Sequence, residues 1–135
     1  MLNHKGSQFY YRSLISDSIV SNQHCTKWNR ILETDISLES WRLINHIPFR
    51  CSKDSNLQWF QYNLLRHILP TNSRLFKMGL TDNETCSYCF TDRETITHLF
   101  TDCSKVTPIW QELQSWLNDK IDIQLHFSKQ NILLG

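Results

Sequence analysis

Residues 86–103 read CSYCFTDRETITHLFTDC and contain three of the five cysteines of the chain together with one histidine. The surrounding stretch 82–103 carries five acidic residues and one basic residue, a composition unsuited to a packed core. The spacing Cys-x2-Cys-x8-His-x4-Cys suggests another source of stability for this segment, a bound metal ion.

The four residue types at this spacing are typical of a zinc site. Two cysteines separated by two residues place their thiolates across a tight turn and supply half of a tetrahedral shell. The histidine is expected on a helical turn over 95–100, with Thr91 or Asp92 near the start of that turn and the last cysteine just after its end. Sulfur and imidazole ligands without a carboxylate select zinc over magnesium or calcium. The predicted ligands of one zinc ion are Cys86, Cys89, His98 and Cys103.

Two other interpretations of this segment stay open. The first two cysteines could form a redox pair, although the preceding residues lack the strand-to-helix pattern of a thioredoxin-like motif. The cluster could also be ordinary core. The concentration of potential ligands in a polar stretch favours zinc over both. Cys25 and Cys51 have no potential ligands at suitable spacing and are expected to be buried thiols.

The predicted zinc is structural. Four protein ligands leave no coordination position for a reacting water molecule, which a catalytic zinc keeps. A deaminase-type site would also need a glutamate two residues after the ligand histidine, where this chain has Phe100. Zinc binding is expected to add folding free energy and to attach the segment to the helix that follows it.

Length, charge and cysteine number limit the kinds of protein that this chain can be. A chain of 135 residues fits one compact domain with small satellites, and its net charge of +1 does not point to any partner. No apolar run reaches the ~18 residues of a membrane span, and the first residues lack the apolar block of a secretory signal. With an odd number of cysteines, a reducing compartment is favoured over a disulfide framework.

Apolar periodicity predicts a mostly α fold, with short helices packed around an aromatic core and a small zinc-knuckle insertion. Little weight is given to a short strand in the alternating stretch 121–127. The first predicted helices cover 6–20; 27–33, capped by Thr26; and a segment capped by Ser37 and stopped by Pro48. Further helices are predicted over 56–69, capped by Ser55 and ended by Pro70, and over 72–78, capped by Thr71 and closed by Gly79. The last predicted helix covers 106–119, begun by Ser104 or Thr107, with Pro108 at its first helical position.

Two of these helices have clear predicted apolar faces. The face of the helix over 56–69 consists of Leu57, Phe60, Leu64, Leu65 and Ile68. That of the helix over 106–119 consists of Ile109, Leu113, Trp116 and Leu117, with Trp110 and Trp116 expected in the core.

The stretch 55–81 contains no acidic residue and carries the candidate nucleic-acid contacts. Arg66, Arg74 and Lys77, with His67, are candidates for phosphate binding, and Tyr88 and Phe90 are candidates for stacking on unpaired bases. The alternatives are a solvated helix face for the cations and packing around the metal for the two aromatic rings. Three cations predict weak binding by this chain alone, with micromolar or poorer affinity.

Residues 56–113 resemble the zinc-binding segment that follows the polymerase in non-LTR (LINE-type) retrotransposon reverse transcriptases. The resemblance extends over nearly the whole chain and is most specific over 56–117. Upstream, Lys27-Trp28, Ile36-Ser37 and Trp41 look like the linker region of the same family. The matching positions are Leu69-Pro70-Thr71, Lys77-Met78-Gly79, the four predicted ligands, Glu94-Thr95, Leu99-Phe100 and Ile109-Trp110.

The resemblance implies a helical linker region over 1–53, a zinc-binding domain over 54–120 and a C-terminal extension, cut short, over 121–135. It implies a non-catalytic domain, since the chain has no Tyr-x-Asp-Asp polymerase motif and no endonuclease carboxylates. The parent would be an RNA-directed DNA polymerase acting in the nucleus or cytoplasm. In such proteins this domain is expected to help bind RNA or single-stranded DNA during target-primed reverse transcription.

The alternative function is a zinc-stapled interaction domain that docks on the polymerase or on another protein. Trp59 beside Phe60 would contribute an apolar contact surface, and an exposed aromatic patch larger than the basic one would favour this alternative. A zinc enzyme is not expected, because no open coordination position or general base is evident. Neither a small-molecule substrate nor a membrane partner is expected.

Overall fold

The computed structural model describes residues 22–121 and 124–135. The chain divides into two compact units, residues 1–66 and 67–135, and each is described by itself. The helix predicted over 6–20 lies outside the described residues. The division into 1–53, 54–120 and 121–135, which follows from the family resemblance, stays a prediction.

The described part of the first unit consists of three helices, α1 (Asn22–Leu32), α2 (Leu38–Cys51) and α3 (Ser55–Leu65). The indole of Trp28 is completely buried between them, and its Nε1 donates a hydrogen bond to the carbonyl of Leu65 at 3.0 Å. A buried tryptophan needs such a partner for its N–H, so this bond fixes how α1 meets the end of α3. The core residues of this unit are Cys25, Trp28, Ile36, Trp41, Ile44, Leu64 and Leu65.

Helix starts in this unit follow capping chemistry. The Oγ of Ser37 accepts a hydrogen bond from the backbone N–H of Ser40 at 3.1 Å, which confirms Ser37 as the cap of α2. The cap of α3 is Asp54 and not the predicted Ser55, because the Asp54 carboxylate accepts from the N–H of Asn56 at 2.8 Å. α1 begins at Asn22, so the predicted cap Thr26 lies inside the helix.

Two predicted helix ends are wrong. Pro48 lies inside α2, where it is buried and accepts a hydrogen bond from the N–H of Ser52. A proline inside a helix removes one hydrogen bond and crowds the carbonyl four residues earlier, and burial of the Pro48 ring offsets part of that cost. α3 ends at Leu65, four residues earlier than predicted, because His67 adopts a φ of 56° in the left-handed region. A helix cannot continue through that conformation, which histidine adopts more readily than most residues.

The packed face of α3 also differs from the prediction. Leu57 and Phe60 are exposed, whereas Gln58 is buried beside Leu64 and Leu65. The amide of Gln58 donates to the backbone carbonyl of Ser52 at 2.7 Å. This bond turns a polar side chain inward, because a carbonyl in the α2–α3 connection needs a donor.

The second unit contains α4 (Asn72–Lys77), a π-helix (His98–Asp102), α5 (Thr107–Lys120) and α6 (Lys129–Leu134). Thr71 occupies the cap position of α4, and Gly79 follows the helix with a φ of 69°, both as predicted. α5 begins at Thr107, one of the two predicted starts, but Val106 is its cap and Pro108 takes the second helical position instead of the predicted first. The buried apolar residues of this unit are Cys86, Cys103, Leu133 and Leu134.

The packed face of α5 was predicted incorrectly. Trp116, expected in the core, is 57% exposed, while Gln114 and Asn118 face the C-terminal segment. Their side-chain oxygens accept from the backbone N–H groups of Phe127 and Leu125 at 2.9 and 2.7 Å. An extended segment without a partner strand needs these acceptors, and this requirement decides which side of α5 turns inward.

The fold class is confirmed as mostly α-helical. Across the described ranges the β pairing consists of one isolated bridge, between Thr85 and Arg93, and residues 124–128 form no strand. Two tryptophans, Trp28 and Trp41, lie in the core of the first unit. Among the described helices, none has the length and apolar character needed to cross a bilayer.

Candidate metal centre

The four predicted ligand residues converge on one point. Their ligand atoms all lie within 4.8 Å of one another. The sulfurs of Cys86 and Cys103 are 3.9 Å apart, and the sulfur of Cys89 is 3.3 Å from Nε2 of His98. Zinc bonds of about 2.0–2.3 Å arranged as a tetrahedron require ligand atoms roughly 3.5–3.8 Å apart. The donor set and its spacing therefore fit one zinc ion.

A short hairpin presents the first two ligands. The N–H of Cys86 donates to the carbonyl of Asp92 at 2.7 Å, and the N–H of Phe90 donates to the carbonyl of Cys86 at 3.0 Å. Below this turn, the N–H of Glu94 donates to the carbonyl of Glu84 at 2.8 Å. The side chains of Arg93 and Glu84 also pair at 2.7 Å, but such a solvent-exposed ion pair adds little stability. Backbone hydrogen bonds hold the hairpin.

The hairpin also prepares its sulfurs for metal binding. Hydrogen bonds from the Asp92 N–H, the Thr91 hydroxyl and the Thr91 N–H lower the pKa of Cys89 to about 5. Burial raises the pKa of Cys86, while backbone N–H groups of residues 88 and 89 act in the opposite direction. Donors aimed at sulfur favour the thiolate, which is the form that binds a metal ion.

The other two ligands are set by the π-helix. The Oγ1 of Thr95 accepts from the N–H of His98 at 3.1 Å, so the turn starts at Thr95 as the predicted range 95–100 has it, and Thr91 and Asp92 lie before it in the hairpin. The N–H of Cys103 donates to the carbonyl of His98 at 2.8 Å, which is the five-residue spacing of a π turn. This wider turn places both side chains at the metal site.

The buried carboxylate of Glu94 attaches the site to α4. Only 6% of this residue is exposed. Its Oε1 accepts from the backbone N–H of Asn72 at 2.8 Å, and its Oε2 accepts from the N–H of Ser87 at 2.8 Å. The side-chain amide of Asn72 in turn donates to the backbone carbonyl of Thr85 at 2.8 Å. One carboxylate thus satisfies N–H groups at the start of a helix and in the hairpin.

Sequence reasoning missed the role of Glu94. The signal available was an acid inside the ligand segment and a helix whose first N–H groups needed acceptors. Since 22 residues separate Glu94 from Asn72, no local pattern joins them.

Tyr88 and Phe90 project from the hairpin into solvent, with 59% and 76% of their surfaces exposed. They do not pack around the metal site. Phe90 has a φ of 59°, a left-handed conformation that is unfavourable for a bulky L-residue.

The strain at Phe90 makes a prediction about stability. Phe90→Gly should leave the free energy of unfolding unchanged or raise it by up to about 1 kcal/mol, because glycine adopts positive φ without a steric penalty. Thermal melting of the zinc-loaded protein measures this change. A loss of more than about 1 kcal/mol would show that the ring itself stabilises the hairpin, with Tyr88→Gly as the matched control for loss of an exposed ring.

The candidate nucleic-acid residues occupy different environments. In the first unit, the guanidinium of Arg66 lies over the ring of Tyr62, 5.3 Å from its centre. In the second unit His67 is only 7% exposed, and its carbonyl accepts a hydrogen bond from Arg74 at 2.7 Å. Lys77 is exposed at the end of α4, three residues after Arg74. Their role in binding nucleic acid stays a prediction.

Comparison with known protein families identifies a related family. A family model described as zinc-binding in reverse transcriptase matches residues 7–110, a range that includes all four ligand positions. No curated protein and no solved structure matched the chain significantly.

Proposed function

Because the chain belongs to the family of zinc-binding domains in reverse transcriptases, we propose that it helps the polymerase of a LINE-type retrotransposon bind RNA or single-stranded DNA during target-primed reverse transcription. The observation that carries this proposal is the closed metal site of Cys86, Cys89, His98 and Cys103. With four protein ligands, bound zinc supplies rigidity and offers no position for a reacting water molecule. The domain is therefore an accessory and not a catalyst.

The metal site also positions basic residues. Glu94 joins the hairpin to the start of α4, and α4 carries Arg74 and Lys77. Residues three apart share one face of a helix, so Arg74 and Lys77 extend from the same side of α4. One of the guanidinium N–H groups of Arg74 binds a backbone carbonyl, and the group has further donors for a phosphate. Buried His67 is left out of the proposed surface.

Reversing one of these charges should weaken nucleic-acid binding. Lys77→Glu removes one phosphate contact and adds a repulsive charge, so we expect about tenfold weaker binding of a single-stranded RNA decamer in low salt and a salt slope smaller by about one. Fluorescence polarisation across salt concentrations measures both quantities.

Lys105→Glu is the matched control, because it changes the net charge equally at another exposed lysine. An equal loss in both variants would mean that only net charge matters and would contradict a local face on α4. Absence of salt-dependent binding in the parent protein would overturn the proposed function.

One observation favours the alternative of a protein-interaction domain. Ile109, Leu113 and Trp116 form an exposed apolar stripe along α5. Such a stripe is typical of a surface that meets another protein. Under this alternative the same polarisation assay shows no salt-dependent binding of RNA or DNA.

A further inference from the structure

We infer that a cleft in the second unit holds one unpaired nucleobase, an inference that rests on the proposed function and assigns part of it to a defined place. The cleft has a volume of about 310 Å³ and lies between the π-helix, α5 and the C-terminal segment. This is the lower end of the roughly 300–1,000 Å³ range of ligand pockets, enough for one base and too small for a duplex. Its lining residues include Thr101, Trp110, Gln111, Gln114, His126 and Phe127.

Two aromatic rings form a fixed wall of the cleft. The Nε1 of Trp110 donates to the carbonyl of Phe100 at 2.7 Å, which holds the indole in place. The ring of Phe127 meets it edge to face, with centres 5.8 Å apart and planes at 70°. The backbone N–H of Phe127 is itself held by Gln114 at 2.9 Å. Rings that are already ordered lose little entropy when a base stacks on them.

Side chains in the cleft offer donors and acceptors suited to the edge of a base. The side chains of Gln111 and His126 make no hydrogen bond within the described part of the chain, and both line the cleft. Gln114 uses its oxygen on Phe127, which leaves its amide N–H groups for a ligand. Glutamine amides pair with the complementary donor and acceptor pattern of base edges, and unpaired bases expose these edges.

Charge separates this cleft from a phosphate site. Lys129 is the one lysine or arginine in the lining, and no carboxylate lines the cleft. The Nζ of Lys129 lies 2.6 Å from the carboxylate of Asp102, so its charge is already balanced. The hairpin that carries the exposed rings of Tyr88 and Phe90 also carries exposed Asp92, two residues after Phe90, and this negative charge would repel a phosphate backbone. We therefore assign base recognition to the cleft and phosphate contact to α4.

Uncharged nucleosides test the cleft without any contribution from phosphate. The zinc-loaded full chain is titrated with adenosine, cytidine, guanosine and uridine while the indole N–H resonance of Trp110 is followed by NMR, with ribose as the sugar control. We expect at least one nucleoside to shift this resonance saturably, and ribose to leave it unchanged. Gln111→Leu should weaken that binding about fivefold, the effect of losing one hydrogen bond. Gln130→Leu, the same change at an exposed position outside the cleft, should bind like the parent.

Each outcome decides for or against the cleft. The proposal that the cleft binds a base would be overturned by any of three results: no shift with any nucleoside, an equal shift with ribose, or equal affinity in the parent and Gln111→Leu. The single-stranded RNA decamer separates this failure from failure of the proposed function. If the decamer binds in a salt-dependent way while nucleosides do not, the domain binds nucleic acid without a base cleft. If neither binds, both proposals fail.

Discussion

Removal of zinc is expected to unfold the second unit. Structural zinc in small domains contributes an apparent 10–16 kcal/mol or so, whereas a whole domain is typically stable by only about 5–15 kcal/mol. The described residues of this unit bury few large side chains besides Leu133 and Leu134, so little else can replace the metal. We expect a chelator to abolish cooperative thermal melting of this unit, as followed by circular dichroism.

Ligand variants test the same expectation without a chelator. Cys86→Ser and His98→Ala should each behave like the metal-free protein. Cys51→Ser is the matched control, since Cys51, predicted to be buried, is exposed in the last turn of α2 and contributes no ligand. Unchanged melting in both ligand variants would contradict a structural metal.

Glu94→Ala is expected to cost about 3 kcal/mol of unfolding free energy. The change removes two part-buried hydrogen bonds from the N–H groups of Asn72 and Ser87 to a charged carboxylate, and such bonds contribute about 1.5 kcal/mol or more each. It should also weaken zinc binding, by about 10–100-fold if Glu94 acts like other residues that orient metal ligands. Chemical denaturation and competition with a zinc-sensitive dye measure the two effects.

Two further variants show whether the carboxylate itself matters. Glu94→Gln keeps one acceptor oxygen and should lose less stability than Glu94→Ala. Glu84→Ala, which breaks only the exposed pair with Arg93, should change stability by no more than about 1 kcal/mol. If Glu94→Ala costs no more than Glu84→Ala, the attachment of α4 to the hairpin does not depend on this carboxylate.

Features that depend on local chemistry were predictable from the sequence. The four ligands follow from their spacing alone, because the Cys-x2-Cys turn and the later His and Cys need no distant contact to be recognised. The caps at Ser37 and Thr71 and the positive φ of Gly79 were predictable for the same reason. The caps and the glycine conformation involve residues within one helical turn of each other, and the four ligands lie within one continuous segment, 86–103.

Features that depend on distant partners were not predictable. α2 continues past Pro48 because the proline ring is buried, and α3 ends before Pro70 because His67 is left-handed, a conformation that its residue type does not announce. α5 turned Gln114 inward and Trp116 outward because a distant extended segment needed hydrogen-bond acceptors. Hydrophobic periodicity considers only the positions of apolar residues. It contains no information about backbone N–H groups elsewhere in the chain that need hydrogen-bond acceptors.

The central claim is that three sulfurs and one imidazole hold a single zinc ion, and native mass spectrometry tests it most directly. The account predicts one zinc per chain in the parent protein and in Cys51→Ser, and none in Cys86→Ser at the same free zinc concentration. The claim would be contradicted by a parent protein without zinc, or by a Cys86→Ser variant that still binds one zinc ion per chain.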